Sequence, residues 1–330
     1  MTPTHPAPLP DRLTSLQRTL VMGVVNVTPD SFSDGGRWFE PAAAAAHGRE
    51  LLAQGADLLD VGGESTRPGS TRVPEDVELA RVLPVVRTLA GEGALVSVDT
   101  TRAAVAAEAV AAGAVVVNDV SGGLADPAMY DAVARLGVVY VAMHWRGPSD
   151  VMDDLEHYDD VVAEVRDELA QRLERMLAAG VRAEQVVLDP GLGFSKAGAA
   201  NWPLLAHLDA LQSLGRPVLV GASRKRFLGR LLAEDTAEPV PAGARDGATA
   251  AVSALSAAAG AWCVRVHDVP GSADAVRVAA AWQAASGARR YESDRGSVRG
   301  VDGPADRTAR DRRGQGTQDD QQDDTRRRTT

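Results

Sequence analysis

The sequence predicts an α/β fold, a (β/α)8 TIM barrel with a disordered C-terminal tail. Short runs of Val, Leu and Ala recur along the 330-residue chain, and Ala-rich stretches with helical spacing separate them. This pattern is typical of parallel strands that are buried on both faces and joined by helices. A barrel of this kind needs about 250 residues, so the chain can hold one. The eight runs are 21–26, 57–63, 95–99, 114–118, 138–144, 186–191, 217–225 and 262–267.

Each apolar run ends close to a polar side chain of a kind that takes part in chemistry. In a (β/α)8 barrel the active site is assembled at the C-terminal ends of the strands. We therefore expect these side chains to meet at one mouth of the barrel. In chain order they are Asn26, Asp60, Asp99, Asn118, His144, Asp189, Lys225 and His267.

Composition divides the chain into an N-terminal extension (1–19), the barrel (20–287) and a tail (288–330). The tail is rich in Arg, Asp, Gln, Gly and Thr and has almost no apolar residues. It cannot bury enough surface to offset the entropy of ordering, so we expect it to be disordered. Its acidic and basic residues alternate and the whole chain has a net charge of -10, which favours a solvated tail over a nucleic-acid-binding arm.

The sequence predicts neither secretion nor insertion into a membrane. The first residues lack a basic start and an apolar segment, so no secretory signal is predicted. The apolar stretch 248–261 is shorter than the ~20 residues that a membrane span needs. Cys263 is the only cysteine, and we expect a small core residue rather than a nucleophile. We expect a cytoplasmic protein with no nucleic-acid or membrane partner.

The loops after the first two strands are the longest polar connections. After Asn26 the chain reads VTPDSFSDGGRW, which exceeds the about 2 to 6 residues of a typical βα turn. We predict a loop that covers the barrel mouth; the alternative is an ordinary turn in which Asn26 caps the next helix. The second loop carries Thr66, Arg67 and Ser70 after paired glycines. It predicts an oxyanion or phosphate site, with a plain solvated loop as the alternative.

Two carboxylates and one amide, from Asp99, Asn118 and Asp189, face an otherwise aliphatic barrel. Buried acids need a partner rich in N–H donors. A planar heterocycle with an amidine-like edge satisfies them, because a carboxylate accepts two parallel N–H bonds. The alternative is that Asp99 and Asp189 cap the helices that follow; capping and ligand roles are evenly balanced for Asp99, whereas Pro190 favours a ligand role for Asp189.

A predicted cationic corner opposite the acids consists of three residues at the ends of the last two strands, together with Arg67 of the second loop. The three are Lys225, Arg265 and His267. The loops after strands 7 and 8 of such barrels often hold phosphate. Only Lys196 and Lys225 are lysines among the 35 basic residues, so a lysine at a predicted strand end, Lys225, indicates that a compact ammonium is favoured there. The alternative for Arg265 is an internal salt bridge, with Asp60 or Asp268. No HxH or HExxH spacing is present, so we expect Mg²⁺ carried mainly by a phosphate rather than a zinc site.

Over about residues 20–285 the chain resembles the dihydropteroate synthases, a pterin-binding enzyme family of folate biosynthesis and the target of sulfonamides. The resemblance depends on several motifs that occur in order at the predicted strand ends. They are MGVVNVTPDSFSDGG, DVGGESTRPG, VSVDT, VNDVSGG, MHWRG, DPGLGF, GASRKRFLG and RVHDV.

The resemblance implies a transferase that condenses 6-hydroxymethyl-7,8-dihydropterin pyrophosphate with 4-aminobenzoate and releases pyrophosphate, with Mg²⁺ as cofactor and a homodimer as the assembly. It implies Asp99, Lys225 and Arg67 as catalytic residues and Asn26 as the metal-binding residue. The implied pterin-binding residues are Asp99, Asn118, Met143, Asp189 and Lys225. The implied pyrophosphate-binding residues are Asn26, Arg67, Arg265 and His267. The implied 4-aminobenzoate-binding residues are Thr66, Pro68, Phe194 and Ser223.

The sequence departs from the family pattern after Phe194, where Ser195 and Ala197 flank Lys196. A Gly or Ala before the Lys and a Thr after it are more usual, and we expect both changes to be tolerated. Three alternatives stay open: a methyltetrahydrofolate-type methyltransferase domain, a class I aldolase-type lyase that uses Lys225 as a Schiff-base amine, and a non-catalytic pterin-binding paralogue.

Overall fold

The computed structural model describes residues 6, 9–28, 40–65, 72–148, 155–196, 198–233 and 238–297. Within them, eight parallel strands form one sheet in the order β6-β5-β4-β3-β2-β1-β8-β7. The backbone N–H of Leu188 donates to the carbonyl of Pro217 at 2.9 Å, which joins β6 to β7 and closes the barrel. The strands are Leu20–Asn26 (β1), Leu58–Gly62 (β2), Val96–Asp99 (β3), Val116–Asp119 (β4), Val139–Met143 (β5), Val186–Asp189 (β6), Leu219–Val220 (β7) and Cys263–Val266 (β8).

Helices follow the strands and cover the outside of the barrel, which confirms the predicted (β/α)8 architecture. Short 3-10 turns lie at Ala183–Gln185, Gly198–Ala200 and Ala242–Arg245. The helices are Asp11–Thr14 (α1), Pro41–Ala53 (α2), Glu75–Gly91 (α3), Ala103–Ala111 (α4), Met129–Leu136 (α5), Val161–Ala178 (α6), Asn201–Ala206 (α7), Leu208–Gln212 (α8), Arg226–Leu232 (α9), Asp246–Ala258 (α10) and Val269–Ser297 (α11).

The C-terminal helix α11 reaches Ser297, and residues 298–330 of the predicted disordered tail lie outside the described residues. No helix in the described ranges is long and apolar enough to span a membrane.

Small side chains let the helices approach the strands closely. The Cα of Gly48 in α2 lies where a methyl group would come within 2.9 Å of a Leu89 methyl group of α3. Aliphatic residues from both sides fill the layer between strands and helices, and nearly all are fully buried. The Ala-rich stretches therefore form helices that lie tightly against the sheet.

The barrel interior is divided into an apolar lower part and a polar upper part. At the N-terminal ends of the strands, Leu20 and Met22 of β1 pack with Trp262, and Leu9 and Leu13 close this end from below. Towards the C-terminal ends the inward positions become Asp, Asn and Arg. Because every second side chain of a strand faces inward, the same strands supply both parts, and the polar inward-facing side chains lie at the upper mouth.

One predicted strand is shorter than expected. The run 217–225 forms a strand only at Leu219–Val220. Gly221 to Lys225 form a turn instead, in which Arg224 has a left-handed φ of 57°, a conformation that no strand continues. Lys225 therefore lies at the N-cap of α9 rather than at a strand end.

Candidate active site

The barrel brings the predicted acidic and amide side chains together at its C-terminal mouth. Asp99 is the last residue of β3 and lies opposite Asn118 of β4 in the sheet. Asp189 is the last residue of β6. All three are at most 8 % exposed, so they form a buried polar wall of the kind that the sequence predicts.

Arg265 of β8 lies between Asp99 of this wall and Asp60 of β2. Its Nε donates to Asp60 Oδ2 at 2.6 Å and its Nη2 donates to Asp99 Oδ2 at 2.8 Å. Asn118 Nδ2 donates to the same Asp60 oxygen at 2.9 Å. The internal salt bridge with Asp60, the alternative for Arg265, is therefore present in the structure. Asp60 belongs to the site and is absent from the predicted ligand-binding residues.

Burial controls the charge of this cluster. It raises the pKa of Asp99 to about 7, although the nearby Arg265 guanidinium opposes the shift. Burial acts to lower the pKa of Arg265, but the carboxylates of Asp60 and Asp99 outweigh it and the pKa rises. Arg265 is thus a permanent cation, and Asp99 changes its charge near neutral pH.

Asp189 and Lys225 form the opposite side of the mouth. Asp189 Oδ1 accepts the Gly191 N–H at 2.7 Å. Burial raises the pKa of Asp189 and the Lys225 ammonium opposes it. Burial lowers the pKa of Lys225 to about 8, with Asp189 opposing. Lys225 Nζ donates to the Leu192 carbonyl and lies 4.5 Å from the centre of the Phe194 ring, so a cation–π contact holds it at the rim.

The turn before Lys225 is held by ion pairs. Arg224 donates to both oxygens of Asp246, from Nε at 2.7 Å and from Nη2 at 2.8 Å. Arg245 Nη1 donates to the Arg224 carbonyl at 2.7 Å. A non-glycine residue with positive φ needs surrounding contacts of this kind, and here they direct the next side chain, Lys225, towards Asp189.

Ser223 and His267 lie against each other. Ser223 Oγ is 3.0 Å from His267 Nδ1 and accepts the His267 backbone N–H at 3.1 Å. The resemblance assigns Ser223 to the 4-aminobenzoate pocket and His267 to the pyrophosphate site, and the structure places these two positions next to each other. Met143 is the last residue of β5 and Asn26 the last of β1.

Four of the predicted site residues, all in the second loop, lie outside the described residues, as do 29–39 of the first loop. They are Thr66, Arg67, Pro68 and Ser70. The chain on either side of 66–71 is described. Glu64 accepts hydrogen bonds from Arg72 at 3.1 Å and from Arg102 at 2.8 Å. These ion pairs tie the two ends of that segment to α4.

The metal-binding prediction concerns Asn26. Its amide oxygen is a neutral oxygen donor of the type that Mg²⁺ uses. No group of three or more His, Cys, Asp or Glu side chains in the described ranges could hold a metal. The Asn26 amide fits a cation that takes most of its ligands from the phosphates of a substrate, and the described residues do not supply a full set of protein ligands.

His144 follows β5 and does not join the polar wall. It is fully buried, its Nε2 is 2.9 Å from Glu168 Oε2 and its Nδ1 is 2.9 Å from Lys196 Nζ. The expectation that His144 belongs to the mouth is wrong, because its ring points to α6 rather than into the barrel. This second buried cluster of charges carries no predicted ligand-binding role.

Known proteins with the same features identify the family. The model of the family described as "Pterin binding enzyme" matches residues 22–267. Dihydropteroate synthase of Mycobacterium leprae is 54% identical over 269 residues, which cover 81% of this chain and 95% of that protein. The chain belongs to the dihydropteroate synthase family. It is a transferase, and the methyltransferase and aldolase alternatives are set aside.

Solved structures of the family support the same conclusion. Xanthomonas albilineans dihydropteroate synthase with 4-aminobenzoic acid is 47% identical, with a TM-score of 0.73 over 82% of this chain and 93% of that chain. Yersinia pestis dihydropteroate synthase with a sulfonamide drug is 40% identical, with a TM-score of 0.79 over 86% of this chain and 100% of that chain.

Proposed function

We propose that the chain joins 6-hydroxymethyl-7,8-dihydropterin pyrophosphate to 4-aminobenzoate and forms 7,8-dihydropteroate and pyrophosphate. The observation that carries this proposal is the juxtaposition of acids and cations in one barrel mouth. Asp99 accepts a hydrogen bond from Arg265, and Asp189 lies close enough to Lys225 and Arg265 for both cations to oppose the rise of its pKa. A flat heterocycle with N–H donors matches the acids, and a pyrophosphate matches the cations.

The heterocycle binds to the polar wall. Asp189 and Asn118 exchange hydrogen bonds with its N–H and carbonyl edge, and Met143 supplies an apolar surface. Lys225 donates to an acceptor atom of the ring. The low exposure of these side chains supports the assignment, because a buried carboxylate is stable only when N–H donors surround it.

The reaction separates charge, and the mouth stabilises both parts. The bond between the exocyclic CH₂ carbon and the pyrophosphate oxygen breaks, and its electron pair leaves with the oxygen. The amine nitrogen bonds to that carbon and then releases a proton to solvent. Asp99, when ionised, stabilises the cationic ring, and no strong base is needed because the aromatic amine is already neutral.

The departing anion is bound by Arg67, Arg265 and His267. The Asn26 amide oxygen would help to hold a Mg²⁺ ion carried by the pyrophosphate, and such an ion would supply positive charge that stabilises the leaving group. Thr66, Pro68, Phe194 and Ser223 form the 4-aminobenzoate pocket, where we expect sulfonamides to compete. We infer ordered binding, with pyrophosphate needed before the amine pocket is complete.

A pyrophosphate-release assay with both substrates and Mg²⁺ tests this function. We expect release that requires all three, and calorimetry should find tight 4-aminobenzoate binding only when pyrophosphate is present. Arg265→Ala should raise the KM for the pterin substrate, whereas Glu92→Gln, on an exposed ion pair with Arg49, serves as the matched control. Absence of release by the wild-type chain, or equal kinetics of both variants, contradicts the proposal.

We also propose a cytoplasmic homodimer that forms through the outer helices. Leu255 of α10 is 71% exposed, and Val278 and Trp282 of α11 are 64% and 74% exposed. Val278 and Trp282 are four residues apart on one helix face, and exposed apolar groups of this size are typical of interfaces. The buried free thiol of Cys263 is consistent with a reducing compartment.

A further inference from the structure

The cluster behind the mouth centres on Lys196. Its side chain is 3% exposed. Its Nζ lies 2.9 Å from His144 Nδ1, 3.0 Å from the Gly191 carbonyl and 2.9 Å from the Phe194 carbonyl. An ammonium has three N–H donors, and each of them has an acceptor here. This buried lysine is therefore satisfied by its surroundings without any ligand.

These contacts determine the state of His144. An acceptor at Nδ1 places the ring proton on Nε2, which then donates to Glu168 Oε2. Burial, aided by the Lys196 charge, lowers the pKa of His144 to about 3. Glu168 Oε1 accepts hydrogen bonds from Arg146 Nε at 3.0 Å and Nη2 at 2.6 Å. The chain of contacts thus runs from Lys196 through a neutral imidazole to a carboxylate anchored on α6.

Lys196 stabilises the loop formed by residues 191–195, which contains no helix or strand. Gly191, Gly193 and Ser195 have φ values of 66°, 73° and 47°. At Gly191 a Cβ atom would lie 2.1 Å from the His144 carbonyl oxygen, so the loop passes directly over the end of β5. The Asn201 Oδ1 accepts a hydrogen bond from the Gly193 N–H, and the Tyr158 hydroxyl donates to the Ser195 carbonyl.

The other side of this loop contacts Lys225. The Leu192 carbonyl accepts from Lys225 Nζ, and the Phe194 ring lies below the same ammonium. The Gly191 N–H donates to Asp189. Lys196 donates to the carbonyls of Gly191 and Phe194. Gly191 contacts Asp189 and Phe194 contacts Lys225, so both loop residues that Lys196 holds also contact a charged residue of the mouth.

We propose that Lys196, supported by His144 and Glu168, is a positioning residue that sets the place of the Lys225 ammonium and so the affinity for the pterin substrate. This inference depends on the proposed function for the identity of that ligand. Lys196 does not touch the reacting atoms. It acts through the Leu192 carbonyl and the Phe194 ring.

A double-mutant cycle tests this coupling. Calorimetry with 6-hydroxymethyl-7,8-dihydropterin pyrophosphate, in the absence of 4-aminobenzoate, measures Kd for Lys196→Met, Lys225→Met and the double variant. We expect Lys196→Met to raise Kd about tenfold in the wild-type background and by less than about twofold when Lys225 is already Met. Equal effects in both backgrounds, or no effect of Lys196→Met, overturn the proposal.

A pair of His144 variants tests the link independently of Lys196→Met. The amide of His144→Asn can keep an acceptor where Nδ1 lies, whereas His144→Leu removes it. We expect Kd for the pterin substrate within about threefold of wild type for His144→Asn and about tenfold higher for His144→Leu. Equal Kd values for the two variants overturn the proposed link, even if Lys196→Met does not fold.

Leu89→Ala is the stability control, because Leu89 is buried in α3 away from the loop. It should lower the melting temperature and leave Kd for the pterin substrate unchanged. A rise of Kd in Leu89→Ala that matches Lys196→Met would overturn the positioning role. Failure of the proposed function gives a different result. In that case the wild-type chain itself binds no pterin substrate and releases no pyrophosphate, whatever the variants do.

Discussion

Ser195 combines two unfavourable features at one residue. Its φ of 47° is left-handed, and its buried Oγ has no hydrogen-bond partner in the described part of the chain. Glycine removes both, since it adopts this conformation without a Cβ penalty. A glycine before Lys196 would therefore be more favourable than the serine that this chain carries.

We predict that Ser195→Gly raises the free energy of unfolding by about 1 kcal/mol. Urea denaturation measures the change. The control is Ser213→Gly, because Ser213 has a helical φ of -60° and its Oγ donates to the Ala210 carbonyl. That variant should be destabilised by about 0.5 kcal/mol. A loss of stability in Ser195→Gly contradicts the prediction.

The charges of Asp99 and Lys225 predict a bell-shaped pH dependence of kcat/KM. The ionised form of Asp99 is needed, and its pKa is about 7, so activity rises as pH increases through that value. The protonated form of Lys225 is needed, and its pKa is about 8, so activity falls above it. Asp99→Asn should lower kcat/KM and remove the rise on the acidic side. A rise near pH 7 that persists in Asp99→Asn excludes that assignment.

Strand-end position predicted most of the polar wall but could not predict its pairing. Asp99, Asn118 and Asp189 end apolar runs, and that signal is local in sequence. The contact of Asp60 with Arg265 joins residues 205 positions apart. The sequence left both Asp60 and Asp268 open as partners of Arg265, and only the closed barrel selects Asp60.

At the scale of elements, runs of apolar residues predicted the strands well and the turns poorly. The pattern extended the seventh strand to Lys225, yet it stops at Val220. The reason is tertiary, because the Arg224 turn depends on Asp246 of α10. The sequence also could not predict the direction of the His144 side chain, because that direction depends on tertiary contacts with Glu168 of α6 and with Lys196.

The lower closure of the barrel gives an element-scale prediction. Leu13 of α1 is 4% exposed and packs below the strands with Trp262. Leu13→Ala should lower the free energy of unfolding by about 3 kcal/mol. It should leave kcat/KM unchanged, because the substrate mouth is at the other end of the strands. Leu177→Ala, at a residue 43% exposed, should change neither.

Denaturation and steady-state assays on the same preparations separate the two effects. A decrease of kcat/KM in Leu13→Ala at a temperature where the variant is fully folded contradicts the separation of the two ends. Such a result would show that the apolar lower part and the polar upper part of the barrel are energetically coupled.

At the scale of the whole molecule, the proposed homodimer predicts that a charge on α11 separates the subunits. Trp282→Asp places a carboxylate on the exposed apolar face, and burying it in an interface is costly. Sedimentation should find a dimer for wild type and a monomer for Trp282→Asp. Asp274→Asn, at a side chain 79% exposed on the same helix, is the control and should remain dimeric. A wild-type monomer contradicts the proposal.

The ion pairs of Arg265 also bear on how the chain is synthesised. Its two carboxylate partners lie on β2 and β3, which leave the ribosome long before β8. A nascent chain that ends at β7 holds Asp60 and Asp99 without their guanidinium partner, and bringing the two acids together out of water is then unfavourable. The buried acids therefore gain their guanidinium partner only when β8 pairs with β1 and β7, and we expect the polar wall to form late in synthesis.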